Sequence, residues 1–312
     1  MFILFKARDF GEYVSDTFQF FKENGKHYLK NYFRISGILL LVLVVVSYFL
    51  FQVYFDFFLK FDRTNSNTDY LESYISNNIS IVIAIAVFLF LFMILLSMLN
   101  YAIPVIYMDL YDKNKGANFE TKEILAQFKA NFGKVFLFFL GTIFLITPVL
   151  IIIFILLILL CFILIGIPLL LFAFPTAFSW ITLSFFEYLN NKKGFFESFR
   201  DGFSHIKKQY FPIVGSSMII YIIIQIGMSF FTFIPYIFGI ASIFTSTQSS
   251  THTDDTFSTM KIMITIVMVI SILMSFILNN LLMINQGLVY YSRKDIDQSV
   301  SSTDLIDLIG SE

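Results

Sequence analysis

Long uncharged runs alternate along this chain with short segments in which aromatic and basic residues mix. The longest run, from Val135 to Phe186, holds no Asp, Glu, Lys, Arg or His. A bilayer's hydrocarbon core takes roughly 20 apolar residues as a helix, so this run is too long for one span and suits two. Gly166 and Pro168, in Ile-Gly-Ile-Pro, mark the turn between them. The same pattern elsewhere predicts six membrane helices over residues 35–59, 80–110, 135–163, 168–188, 211–244 and 260–291. The second, Ser80 to Leu110, reaches about 46 Å at 1.5 Å per residue, beyond the ~30 Å core. It must tilt, protrude or kink, and Pro104 offers a kink.

The polar segments have a pattern of their own. In residues 1–34, Phe10, Tyr13, Val14, Thr17, Phe18 and Phe21 recur at spacings of three and four, with a break expected at Asn24-Gly25. Ile124, Leu125, Phe128, Phe132 and Val135 repeat the spacing, as do Phe195, Phe199, Phe203, Ile206 and Tyr210. Each reads as an amphipathic helix, lying in the headgroup plane or packed on the protein's own bundle. The predicted fold is therefore all-α and polytopic: six transmembrane helices as three hairpins, each preceded by a cytoplasmic amphipathic interfacial helix. Residues 1–34 form the N-terminal interfacial segment, 35–291 the membrane domain, and 292–312 a polar, loose tail.

Composition agrees. The 312 residues are 57% hydrophobic and only 14% charged, with mean hydropathy +0.79, whereas a soluble domain carries about 25% charged residues. A net charge of −1 gives no reason to expect a nucleic-acid partner. The single Cys161 lies inside the long apolar run and reads as a buried thiol. The opening MFILFKARDF is not a signal peptide, so the first span would act as the insertion signal. Of the 21 Lys and Arg, only Lys60, Arg63 and Lys261 fall in the segments opposite to the N-terminal one. By the positive-inside rule both termini are cytoplasmic.

The order of amphipathic segment, span, turn and span occurs three times, which points to an internal repeat. Asp109-Leu-Tyr-Asp-Lys-Asn-Lys-Gly116 aligns with Glu187-Tyr-Leu-Asn-Asn-Lys-Lys-Gly194, and Asp16 to Lys22 with Asp201 to Lys207. Asp109 and Glu187 thus become a pair of interfacial acids at equivalent positions, placed to grip a basic helix or a lipid amine. Uncharged polar residues form stripes: Ser97, Asn100 and Tyr107 on the second span; Ser217, Tyr221, Gln225 and Ser229 on the fifth; Ser271, Ser275, Asn279 and Gln286, with Asn280 and Asn285 beside them, on the sixth. In lipid such groups must find partners, in other helices or in a wet path. Lys26, Lys30, Lys129, Lys134, Arg200, Lys207 and Lys208 are the candidate headgroup contacts.

No catalytic constellation appears. His27, His205 and His252 are isolated in sequence, and no nucleotide loop, nucleophile elbow or metal-ligand spacing is present. No cofactor or metal is expected, and an enzyme is the less favoured class. From Pro175 through Glu187, Gly194, Ser198, Arg200 and Phe203 the chain resembles the membrane domain of glycerophosphoryl diester phosphodiesterases and related bacterial six-helix membrane families. The shared pattern is an acid at a helix end, a glycine, an amphipathic helix with a basic residue, and the next span. It covers about residues 100 to 290. The resemblance implies a bacterial inner-membrane protein but no activity, because the hydrolase of fused members sits in a separate soluble domain. Two functions are expected to compete. One is a non-enzymatic protein that organises lipid, anionic lipid in particular, or a membrane protein complex. The other is a transporter or channel with a path lined by the stripes. Substrate, partner and oligomeric state are not legible.

Overall fold

A computed structural model of the chain describes residues 2–61, 76–191, 193–246 and 253–309. Arg63, His252 and Lys192 lie outside the described residues. The described part is all-helical: α1 (Phe10–Phe61), α2 (Ile79–Lys113), α3 (Thr121–Gly141), a π turn (Thr142–Ile146), α4 (Thr147–Cys161), α5 (Gly166–Asn190), α6 (Phe195–Lys208), α7 (Tyr210–Ser246) and α8 (Thr253–Ile309). Among the described residues, six stretches are long and apolar enough to cross a membrane: Phe10–Gln52, Ile79–Lys113, Thr121–Cys161, Gly166–Asn190, Tyr210–Phe233 and Lys261–Ser299.

The helices divide into two compact units. One comprises residues 36–99 and 225–278. Its apolar side chains largely face outward, Ile38, Phe49, Phe88 and Phe230 among them. The other comprises residues 1–35, 100–224 and 279–312 and holds most of the buried aromatic and polar side chains. From Ala102 to Met108 every residue of α2 is buried, so this end of the helix is enclosed by protein.

Two expected breaks are absent. α1 runs unbroken through Asn24-Gly25, and α8 continues through residues read as a loose tail. One glycine costs a helix about 1 kcal/mol, which the burial of Phe20, Tyr28 and Tyr32 on either side outweighs. In the tail, Ser292 and Arg293 are buried, and Arg293 Nη2 bonds Asp297 Oδ1 at 2.8 Å. The amphipathic segment is a separate helix only before the fifth span. There Pro212 cannot donate an N–H, and its ring would clash with the carbonyl of Lys208; α6 ends at Lys208 and α7 restarts at Tyr210.

Local chemistry sets the other ends. Asp9 and Glu12 cap α1 reciprocally: Glu12 N–H donates to Asp9 Oδ1 at 2.8 Å and Asp9 N–H to Glu12 Oε2 at 3.1 Å. Glu123 accepts from Glu120 N–H at 2.9 Å at the start of α3. The π turn precedes Pro148, and the widened coil accommodates the missing donor. α4 passes to α5 through residues 162–165, where a Cβ on Gly166 would overlap the backbone of Leu157 and Cys161. No residue of α4 is buried; it is apolar all round, as a helix solvated by lipid must be.

Before α1, the segment from Phe2 to Asp9 folds back. Arg8 is 3% exposed. Its guanidinium bonds Asp16 Oδ2 at 2.8 Å and the carbonyls of Leu4 and Ile3, at 2.7 and 2.5 Å. Its backbone N–H donates to Ser292 Oγ at 3.0 Å.

Candidate functional site

Part of the stripes, expected to bond other helices or to line a path, makes hydrogen bonds between helices. Tyr28 OH donates to Asn280 Oδ1 at 2.5 Å, and Tyr32 OH to Asn100 Oδ1 at 2.8 Å. Asn285 Nδ2 donates to Tyr13 O at 3.1 Å and to Thr17 Oγ1 at 3.2 Å. Gln286 Nε2 donates to Ser217 Oγ at 2.6 Å, and Ser217 meets Ser179 at 2.9 Å. All of these side chains are buried. The amides of α2 and α8 therefore clasp the tyrosine face of α1. The remaining stripe members diverge: Asn279 is half-buried, while Gln225, Ser229 and Ser275 are exposed.

His27 belongs to this clasp. Its Nε2 lies 3.0 Å from Phe119 O and its Nδ1 2.9 Å from Tyr107 OH. A carbonyl can only accept, so Nε2 carries the proton and Nδ1 accepts from the tyrosine. Asn31 Oδ1 accepts from Thr121 Oγ1 at 2.5 Å, tying the start of α3 to α1. Sequence reasoning missed this network because the partners of the α1 side chains lie 68 residues or more away. The excess of tyrosine over ordinary core residues in 28–32 and 107–111 was the available signal.

The two acids at equivalent repeat positions have different surroundings. Asp109 is partly exposed and pairs within its own helix with Lys113 at 2.5 Å. Glu187 is buried, at 6% side-chain exposure. Its Oε1 accepts from His205 Nε2 at 2.8 Å, and its Oε2 from Asn191 at 2.5 Å, with Lys193 at 3.2 Å. Lys193 also reaches Asp201 at 2.7 Å. Gly202 lets α6 sit here: a Cβ would stand 2.8 Å from the Ser184 nitrogen and 3.0 Å from its Cα. Desolvation opposes ionisation of both Lys193 and Asp201, but their contact outweighs it, raising Lys193 and lowering Asp201 from their ordinary values. Buried His205 Nδ1 has no hydrogen-bond partner among the described residues. Nor do three of His, Cys, Asp and Glu converge among them. The cluster is a brace of α6 on α5.

A scan against protein-family models, a comparison with curated proteins and a comparison with solved structures each return no match to this chain.

The candidate headgroup residues remain on the surface. Lys26, Lys30, Lys129, Arg200, Lys207 and Lys208 are exposed and Lys134 is half-buried. Lys208 pairs with Asp297 at 2.9 Å, and Arg200 lies near Glu197 and Asp201. The amphipathic faces are rotated from the expected stripes. Tyr13, Thr17 and Phe20 are buried on α1, with Phe10 and Phe18 exposed. On α3, Ile124, Phe128, Val135 and Phe138 are buried, with Leu125 and Phe132 exposed. Ser198, Phe199, Gly202 and Ile206 are buried on α6, with Phe196 and Phe203 exposed. Each segment thus packs one face on the protein and presents another outward.

Proposed function

We propose that this chain is a non-enzymatic integral protein of the bacterial inner membrane that gathers anionic lipid around a basic, aromatic surface. Its six spans form three hairpins with both termini cytoplasmic. One observation carries the reading: each of the three basic segments leaves an exposed aromatic ring one helical turn from an exposed lysine. The pairs are Lys30 with Phe33, Lys129 with Phe132, and Phe203 with Lys207. A ring that enters the headgroup boundary beside a cation that meets a phosphate is the chemistry of an interfacial anchor. Each basic residue near an anionic surface is worth about 1 kcal/mol. A path through the membrane has less support, because Asn100, Asn280, Asn285 and Gln286 each hydrogen-bond a residue of another helix.

Trp180, the one tryptophan, supplies the test. Its indole donates to Phe199 O at 2.8 Å and packs against Phe203, so it reports on lipid beside α6. In vesicles of brominated phosphatidylglycerol its fluorescence should be quenched more than in brominated phosphatidylcholine. The preference should fall with added salt and on Lys207→Gln/Lys208→Gln. Equal quenching by the two lipids would remove the proposal. A solute flux abolished by Gln286→Leu in protein that still folds would replace it with transport.

A further inference from the structure

We infer that a cavity of about 290 Å³ between α2, α3 and α5 is a specific site for a phosphate group, the headgroup phosphate of an anionic lipid or a free phosphate ion. The inference rests on the membrane reading above and gives its lipid contact an address. Asp109 and Lys113 of α2, Gln127, Asn131 and Lys134 of α3 and Asn190 of α5 supply the polar wall. The volume is at the small end for ligand pockets, the size of a headgroup rather than of a whole lipid.

Charge selects the ligand. Lys113 is already engaged by Asp109 at 2.5 Å. Lys134 is half-buried and has no ion-pair partner among the described residues. The wall therefore presents one uncompensated cation together with three carboxamides able to donate hydrogen bonds, a set that suits a phosphate oxygen. Asn131 is held in place, its Nδ2 bonded to Gln127 O at 2.9 Å.

Depth agrees with the lipid source. On α2 no charged residue precedes Asp109, on α3 none follows Lys134, and on α5 none precedes Glu187, one turn before Asn190. Three helices pass from uncharged to charged sequence at the walls of one cavity. In a bilayer that boundary is where headgroup phosphates stand.

The test is native mass spectrometry of the full chain in detergent, titrated with dioleoylphosphatidylglycerol or with dioleoylglycerol, which lacks the phosphate. Wild type should retain one phosphatidylglycerol and no comparable dioleoylglycerol. Lys134→Gln should weaken retention about tenfold, the loss of one charge-assisted hydrogen bond. Asn131→Asp, which adds a repelling carboxylate, should do likewise. Lys134→Arg should restore binding, and Lys207→Gln/Lys208→Gln should leave this single adduct intact. Displacement by millimolar inorganic phosphate would assign the site to the free ion, and persistence would assign it to the lipid. Equal retention by wild type, Lys134→Gln and Asn131→Asp, all eluting as folded species, would overturn the inference, as would equal retention of dioleoylglycerol. If that happened while Trp180 still preferred phosphatidylglycerol, the cavity assignment alone would fall.

Discussion

Glu187 and Asp109 occupy matching places in the sequence, and burial separates them. Removing one member of a buried, hydrogen-bonded charge pair costs about 3–5 kcal/mol, whereas an exposed i,i+4 pair is worth about 0.3–0.5. Glu187→Ala should therefore lower the melting temperature markedly and Asp109→Ala barely, as read by thermal denaturation in detergent. The Lys193–Asp201 contact adds a pH dependence. Asp201 is depressed, so its contribution is present above the unfolded value of about 4 and is lost as pH falls through the folded one. Lys193 is raised, so its contribution is present below about 10.4 and is lost as pH rises through its folded value. The stability gap between wild type and Asp201→Asn should open between those limits and close below about pH 4. The acid at 187 was legible as a boundary residue. Its partner was not: His205 follows 18 residues later across a turn and another helix, and no periodicity links the two.

At the scale of the element, apolar runs found the spans because hydrocarbon length is a constraint the chain cannot evade. Gly166 and Pro168 found the turn for the same reason: a close backbone approach and a missing donor are written as residue types. Asn24-Gly25 misled because a glycine in a helix is a modest cost that tertiary burial overrides. At Gly25 a Cβ would meet Phe21 at an ordinary 3.5 Å. Gly25→Ala should accordingly stabilise the protein, by about 0.5–1 kcal/mol. A hinge at this position would give the opposite sign in the same denaturation measurement. The rotation of the amphipathic faces was beyond reach, since phenylalanines occupy both faces of α1, α3 and α6, and spacing alone cannot say which side meets protein.

For the whole molecule, the distribution of basic residues carries the proposed topology, and it can be read directly. In a Cys161→Ser background, single cysteines at Lys30, Lys129 and Lys207 should react with an impermeant maleimide only from the cytoplasmic side, and one at Ser76 only from the other. Label reaching Lys129 and Ser76 from the same side would undo the arrangement. The contact between Arg8 and Ser292 has a temporal meaning as well. The two are 284 residues apart, and a ribosome adding about 5–20 residues each second needs on the order of tens of seconds to join them. Throughout that interval the Arg8 guanidinium has its local partners, Asp16, Leu4 and Ile3, but its backbone N–H lacks Ser292. The packing around Arg8 is thus among the last to be completed, and α8 acts as its latch.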